Sequence, residues 1–487
     1  MRSPFSTLDW ALVIGFVAFC GVLGVRARKR VGSLDDFLVM GRRLGPLWGV
    51  ATLAATETGL VTIIYFSEEA YLAGFVALSA SVIAAATMWF VGRTGLVIKR
   101  LRALEVRTVP EFLETRFSTH VRGIAGLATF LVGVLNMGIF LQTEGTFLAV
   151  VMGISPDKLP LIMGVMLVVV IAYTMLGGMY SVVLTDVVQF VFILVVVSCT
   201  TYYIFAAAGG WQKIVEAVAV HRGSAGLSLW DATRYGPLFL TWTTLYYLSG
   251  WSSWQPVVAR ALSMKDVALA LRLYRLSSLF MLFRAAFPML WGVGALAIVG
   301  IVTPSSTALP QMLIKILPAG MIGLVTVGFL AASMSTYSSY FLAFSSIIVQ
   351  DVVGPRLRRT LSDHERVVFT QAGILVIGIL IYFWVMFYHF PESVFRYITV
   401  TGSLSFAATL TVLVGGIYWK RASAGGAYCA FLGSAIPPVI CLVHPQFSPT
   451  SAGLLSYTLA VTGMVFGTLA FPIPATGPRI ASSLGST

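Results

Sequence analysis

The sequence predicts an all-α polytopic membrane protein with about 13 transmembrane helices. Three observations lead to this fold class: 58% of the 487 residues are hydrophobic, only 10% are charged, and apolar stretches recur along the chain. A soluble domain needs more surface charge than this, whereas about 20 apolar residues suffice to cross a bilayer. The apolar stretches lie near residues 8–25, 46–71, 73–98, 123–150, 157–177, 180–207, 236–257, 276–302, 318–350, 367–389, 394–418, 425–443 and 453–473.

The positive charges fall in short segments between the predicted spans. A net charge of +13 would suggest nucleic-acid binding in a soluble protein. Here 24 Lys and Arg residues lie in every second loop, counted from the loop at residues 26–43. Only 7 lie in the remaining outer segments. Because cytoplasmic loops are the ones enriched in Lys and Arg, we predict a multi-pass protein of the inner (plasma) membrane. Its N-terminus is expected outside and its C-terminus in the cytoplasm.

Two predicted spans contain small and polar residues that interrupt their apolar run, at residues 54–59 and 247–253. Broken helices expose backbone N–H and C=O groups at mid-membrane, and transporters use these groups to bind ions and substrates. The two breaks open two five-helix stretches, residues 46–208 and 236–418, which predicts an inverted repeat. The remaining segments are then an N-terminal extra helix with the first inner loop (1–45), an outer loop (209–235), and two C-terminal extra helices with a short tail (419–487).

Several ionisable side chains lie within predicted spans, where they cost free energy unless they have a partner or face a cavity. Glu57 and Arg284 lie well inside their spans, and they could form a structural ion pair or face a solute. Asp186 comes early in its span. The others lie late in their spans, where we expect water to reach them: Glu68, Glu69 and Glu144.

A ladder of small and hydroxyl side chains follows one face of the ninth predicted span. Its members are spaced i, i+3, i+4 and i+7, and they are Ala332, Ser335, Thr336 and Ser339. Sodium is a hard cation that prefers neutral oxygen ligands of this kind. Alternatively, the hydroxyls bond only to carbonyls of their own helix or to neighbouring helices. The residues alone leave both interpretations open.

With these residues in view, the chain resembles the sodium:solute symporter family over roughly residues 8–418. Residues 177–189 read GGMYSVVLTDVVQ, which is similar to the family's Gly-Gly…Thr-Asp-x-x-Gln signature. The pattern Ala332…Ser335-Thr336, followed by two serines and Asp351, resembles the family's eighth core helix. The broken helix at residues 54–56 and the segment Gln255-Pro256…Arg260 also fit. The resemblance implies the leucine-transporter fold, a five-plus-five inverted repeat with flanking helices.

The resemblance also implies sodium sites. The main site would use the backbone carbonyls of three residues and two hydroxyls, from Ala54, Glu57, Ala332, Ser335 and Thr336. Some family members hold a second sodium with an aspartate and three serines. The counterparts in this chain are all present, and they are Asp186, Ser335, Ser338 and Ser339.

The resemblance says less about the solute. Sugar-transporting members carry Asn and Gln on the first broken helix and Glu on the next, where this chain has Thr56, Val61 and Ser81. Arg284, four residues before Pro288, matches a basic residue of those members. A buried arginine is a natural partner for a carboxylate. The predicted substrate-binding residues are Thr56, Glu57, Thr58, Ser81, Tyr247, Ser249 and Arg284.

These features predict a sodium-coupled symporter that imports a small organic solute by alternating access, with a carboxylate or a zwitterion such as an amino acid favoured. Its partners would be the solute, sodium ions and the lipid bilayer, without nucleic acid. The sequence contains no HExxH, P-loop or nucleophile elbow, so no enzyme is predicted. The alternative is a transporter-like membrane sensor that binds a nutrient and acts with a separate signalling partner.

Overall fold

The computed structural model describes residues 5–27, 29, 31–231, 235–357, 359–388, 393–444 and 446–472. It is all-helical in architecture, as predicted. The α-helices in chain order are α1 (Thr7–Ala27), α2 (Leu34–Val39), α3 (Pro46–Glu57), α4 (Leu60–Ala73), α5 (Leu78–Thr94), α6 (Ile98–Ala103), α7 (Val109–Arg116), α8 (Thr119–Met152), α9 (Leu159–Ala208), α10 (Trp211–Leu227), α11 (Pro237–Ser253), α12 (Gln255–Leu262), α13 (Val267–Val299), α14 (Ala308–Ile316), α15 (Met321–Ile347), α16 (Asp363–Phe387), α17 (Val394–Tyr418), α18 (Ala424–Val443) and α19 (Pro449–Ala470).

Ten continuous helical stretches in the described part of the chain are long and apolar enough to cross a membrane. This number is compatible with the prediction of about 13 crossings. The 50-residue helix α9 contains two predicted spans, and one continuous stretch joins α4 to α5. The pair α11 and α12 covers one further predicted span, residues 236–257, although neither helix is long enough to be among the ten.

Gly178 separates the two predicted spans within α9. Its backbone leaves helical geometry at φ 50° and ψ −139°, a region that favours glycine. A Cβ atom at this position would lie 2.5 Å from the backbone oxygen of Phe37 in α2, so the close packing of α2 also requires glycine. The second half of α9 carries Asp186, which is 0% exposed.

The first helix is held to α15 by a buried carboxylate. Asp9 is 0% exposed, and its Oδ1 accepts hydrogen bonds from the backbone N–H groups of Gly320 (3.0 Å) and Gly323 (2.8 Å). These N–H groups belong to the start of α15, where a helix has no internal acceptors for them. A Cβ atom on Gly323 would lie 2.3 Å from Asp9 Oδ1, so glycine is needed for the approach.

We expect Asp9→Ala to lower the stability of the protein. The substitution leaves two N–H groups at the start of α15 without their acceptor, at a cost of about 1–3 kcal/mol. Thermal unfolding in detergent should show a lower midpoint for Asp9→Ala than for wild type. Asp363→Ala is the matched control, because Asp363 lies in the first turn of α16 but is exposed. Equal midpoints for Asp9→Ala and wild type would contradict this role.

Candidate functional site

The first predicted break is present between α3 and α4. Helix α3 ends at Glu57, and Thr58 (φ −98°, ψ 52°) and Gly59 separate it from α4. Thr58 donates its N–H and its hydroxyl to the carbonyl of Ala54, at 3.0 and 2.7 Å. The last carbonyls of α3 carry the negative end of its dipole, and they are suited to a cation.

Helix α15 packs directly against this break. The hydroxyl of Thr336 donates to the carbonyls of Thr56 (2.8 Å) and Ala332 (3.1 Å). A Cβ atom on Gly59 would lie 2.6 Å from Thr336 Oγ1. Thr336 thus bridges the two helices that supply the predicted ligands of the main sodium site. Ser335 belongs to the same predicted set, but its hydroxyl donates to the Asp186 carboxylate (2.6 Å).

The second break lies one residue beyond the predicted stretch, because residues 247–253 are still helical. Helix α11 continues to Ser253, and Trp254 (φ −69°, ψ 110°) is the one residue between it and α12. The half-helix α12 begins at Gln255, and it carries Arg260 one turn later.

Arg260 and Asp186 form an ion pair at the centre of the protein. The distance from Arg260 Nη2 to Asp186 Oδ2 is 3.0 Å, and the side chains are 1% and 0% exposed. Arg260 also donates to the hydroxyl of Ser339 (2.6 Å) and the carbonyl of Pro256 (2.6 Å). The hydroxyl of Thr52 donates to the same carboxylate.

Two of the residues predicted for a second sodium, Asp186 and Ser339, therefore contact a guanidinium. The structure brings Asp186, Ser335 and Ser339 together, and the Ser338 hydroxyl donates to the Ser335 carbonyl at 3.1 Å. Arg260 is permanently charged and already supplies a cation to Asp186. The sequence identifies Arg260 only as part of the segment Gln255-Pro256…Arg260 and predicts no role for it. The available signal was its position in the half-helix that follows the second break.

Glu57 and Arg284 form a second, looser ion pair. Their closest atoms, Arg284 Nη1 and Glu57 Oε2, are 3.6 Å apart, beyond hydrogen-bond distance. Glu57 Oε1 and Arg284 Nε are buried without a hydrogen-bond partner in the described part of the chain. Arg284 Nη2 reaches the Tyr65 hydroxyl at 3.4 Å, and the guanidinium lies 5.6 Å from the Phe66 ring centre. The pair retains unused donor and acceptor atoms.

Aromatic side chains surround this pair. Tyr65, which contacts Arg284, also lines a cleft between α4, α11 and α17. Tyr247, a predicted substrate residue, lines the same cleft and stacks on Trp251 with ring centres 5.9 Å apart. The other residues that line the cleft are Trp242, Thr243, Tyr246, Phe395, Ile398 and Thr399.

The other predicted substrate residues have different neighbours. Thr56 contacts the hydroxyl of Ser339 at 2.8 Å, within the Arg260 cluster. Ser81 contacts the sulfur of Met289 at 3.3 Å. Ser249 bonds to Tyr457 of α19 at 2.7 Å, and Thr58 caps α3 as described above.

The expectation that water reaches Glu144 is wrong. Glu144 is 0% exposed, and it accepts a hydrogen bond from the backbone N–H of Val61 at 3.0 Å. The hydroxyl of Ser333 donates to its other oxygen. Its position late in α8 suggested water, but no sequence signal identified the helices packed around it.

Sequence comparison relates the whole chain to known transporters. The sodium/glucose cotransporter of Vibrio parahaemolyticus is 25% identical over 94% of this chain and 88% of that protein. The sodium/sialic acid symporter of Proteus mirabilis is 23% identical over 98% and 97%, respectively. The high-affinity proline transporter of Bacillus subtilis is 24% identical over 86% and 89%.

Comparison with solved structures gives the same fold. A Na⁺-coupled sialic acid symporter in a substrate-bound outward-open state superimposes with a TM-score of 0.83 and 20% identity, over 96% of this chain and 98% of that chain. The architecture is therefore the leucine-transporter-like inverted repeat that the sequence predicted. The family model described as the sodium:solute symporter family matches residues 37–434. This multi-pass membrane protein belongs to the sodium:solute symporter family.

Proposed function

We propose that this protein imports, together with sodium, a small solute that carries a carboxylate, as an amino acid or another zwitterion does. Its family and fold support sodium-coupled solute symport. The observation that carries the choice of solute is the loose ion pair between Glu57 and Arg284, whose closest atoms are 3.6 Å apart.

A zwitterion supplies what each member of this pair lacks. A solute carboxylate could bind the Arg284 guanidinium at two points, including the unpartnered Nε. A solute ammonium group could donate to Glu57 Oε1, which has no donor among the described residues. The four charges then balance, so the desolvated site stays neutral.

The names of the relatives do not agree on one solute, so the choice of solute depends on the site. Their names assign glucose, sialic acid and proline to proteins of similar identity to this chain. An amino acid is thus among the solutes that relatives carry. Thr56, Val61 and Ser81 stand where sugar-transporting members carry Asn, Gln and Glu, which argues against a sugar.

Sodium is assigned to the first break. We propose that the carbonyls of Ala54, Glu57 and Ala332 and the hydroxyls of Ser335 and Thr336 bind it, because α15 packs against the end of α3 there. Bound sodium would hold the break against α15 in the outward-facing state. The half-repeats are assigned to residues 46–208 and 236–418, with the N-terminus outside the plasma membrane.

We expect Ser335→Ala and Thr336→Ala to raise the sodium concentration that gives half-maximal uptake. A ligand worth about 1.4 kcal/mol of binding free energy changes this concentration about tenfold. The measurement is initial uptake into proteoliposomes against external sodium. Ser345→Ala is the control, because this hydroxyl of α15 bonds only to carbonyls of its own helix. Unchanged sodium dependence in both site variants would refute the assignment.

The same vesicles separate a transporter from a sensor. A sensor would show sodium-dependent binding of the solute, measured by thermal shift, without accumulation of the solute inside sealed vesicles. Accumulation driven by a sodium gradient would exclude a purely sensory role.

A second sodium is proposed at Asp186, Ser335, Ser338 and Ser339, which requires Arg260 to yield part of its contact with Asp186. Uptake against sodium should then have a Hill coefficient above one that falls towards one in Ser338→Ala. Ser338 is the better probe, because Asp186→Asn leaves Arg260 buried and unpaired. Coefficients near one in both wild type and Ser338→Ala would argue for a single ion.

We expect the protein to distinguish a free carboxylate from its amide. Amino acids and their amides would be screened by thermal shift with and without sodium. The acid that binds should stabilise wild type more than its amide does. Arg284→Lys should reduce this preference, because lysine lacks the planar two-point contact. Equal affinity for acid and amide would return the solute to an open question.

A further inference from the structure

Glu144 is a buried carboxylate outside the proposed sodium and solute sites. It lies in α8 and is 0% exposed. Its Oε1 accepts the Val61 N–H at 3.0 Å, and its Oε2 accepts the Ser333 hydroxyl. In the described part of the chain, no lysine, arginine or histidine lies within ion-pair distance of it. The carboxylate therefore depends on these two hydrogen bonds.

Through Val61, Glu144 caps the half-helix α4 from outside that helix. Val61 lies in the first turn of α4, where backbone N–H groups have no acceptor within the helix. The N-cap residue Gly59 has no side chain that could accept them. A carboxylate at this end bonds strongly to an N–H group, and the helix dipole favours its negative charge.

Through Ser333, the same carboxylate contacts the helix of the proposed sodium site. Ser333 follows Ala332 in α15 and precedes Thr336 by three residues. Thr336 binds the carbonyl of Thr56, on the α3 side of the break, at 2.8 Å. Helix α15 thus holds both sides of the break, directly at α3 and through Glu144 at α4.

We propose that Glu144 is a positioning residue for transport, which links sodium binding at the break to the position of α4. This inference rests on the proposed sodium-coupled symport. With one carboxylate, Glu144 fixes α4 relative to the face of α15 that carries Ala332 and Thr336. Sodium bound between α3 and α15 therefore also restrains α4.

The test compares wild type, Glu144→Ala and Glu144→Gln in proteoliposomes. Glu144→Ala should raise the sodium concentration for half-maximal uptake roughly tenfold, and it should retain uptake at saturating sodium. Glu144→Gln keeps the side-chain volume and one acceptor, so a smaller increase is expected. If Glu144→Ala does not fold, the Gln variant alone decides: an unchanged sodium requirement overturns the inference.

Hydrogen exchange distinguishes positioning from a merely structural role. In wild type, sodium should slow amide exchange at the start of α4, and in Glu144→Ala this protection should be lost. A structural role alone would speed exchange equally with and without sodium, and this result would overturn the inference. Adding Ser333→Ala to Glu144→Ala should cause little further change if the two residues act through each other.

Gln142→Ala is the matched control in α8, because the Gln142 side-chain carbonyl has no hydrogen-bond partner among the described residues. Its sodium dependence should equal that of wild type, and a tenfold rise there would overturn the assignment to Glu144. A wild-type protein without sodium-dependent uptake would instead refute the proposed function. Normal wild-type coupling with unchanged Glu144 variants would refute this inference alone.

Discussion

The architecture depends on satisfying the backbone groups that are exposed where the chain leaves the helix at Thr58 and Gly59. In a bilayer, such groups need partners within the protein. Helix α15 supplies contacts on one side through Thr336, and α8 supplies them on the other through Glu144. Helix α15, which makes these contacts, is deeply buried, with 89% of its most apolar segment covered by the rest of the protein.

Two buried arginines differ in how fully the protein satisfies their hydrogen-bonding groups. Arg260 has a carboxylate at 3.0 Å and hydroxyl and carbonyl acceptors, so its desolvation is offset within the protein. Arg284 is 3.6 Å from its carboxylate, and its Nε is unpartnered. An unpaired buried polar group costs about 1–3 kcal/mol. A ligand that pairs with Arg284 would recover this free energy. A ligand at Arg260 would recover little, because the protein already satisfies its donors.

The sequence predicts what depends on local pattern. Apolar runs locate the crossings, and small polar residues locate the break between α3 and α4. The partners of Asp186 and Glu144 are 74 and 83 residues away in the chain, so no local pattern identifies them. The expectation that water reaches Glu144 fails for a definable reason. It lies eight residues before the end of the 34-residue helix α8, about 12 Å along the axis, deep enough for neighbouring helices to cover it.

The two half-helices at the first break present opposite ends of their dipoles across a two-residue gap. The carbonyl end of α3 favours a cation, and the N–H end of α4 favours an anion. The Glu144 carboxylate lies at the N–H end of α4, and a sodium ion at the carbonyl end of α3 would likewise match the sign of its half-helix. The electrostatic preference and the hydrogen bonds of Glu144 thus favour the same arrangement of α3, α4 and α15.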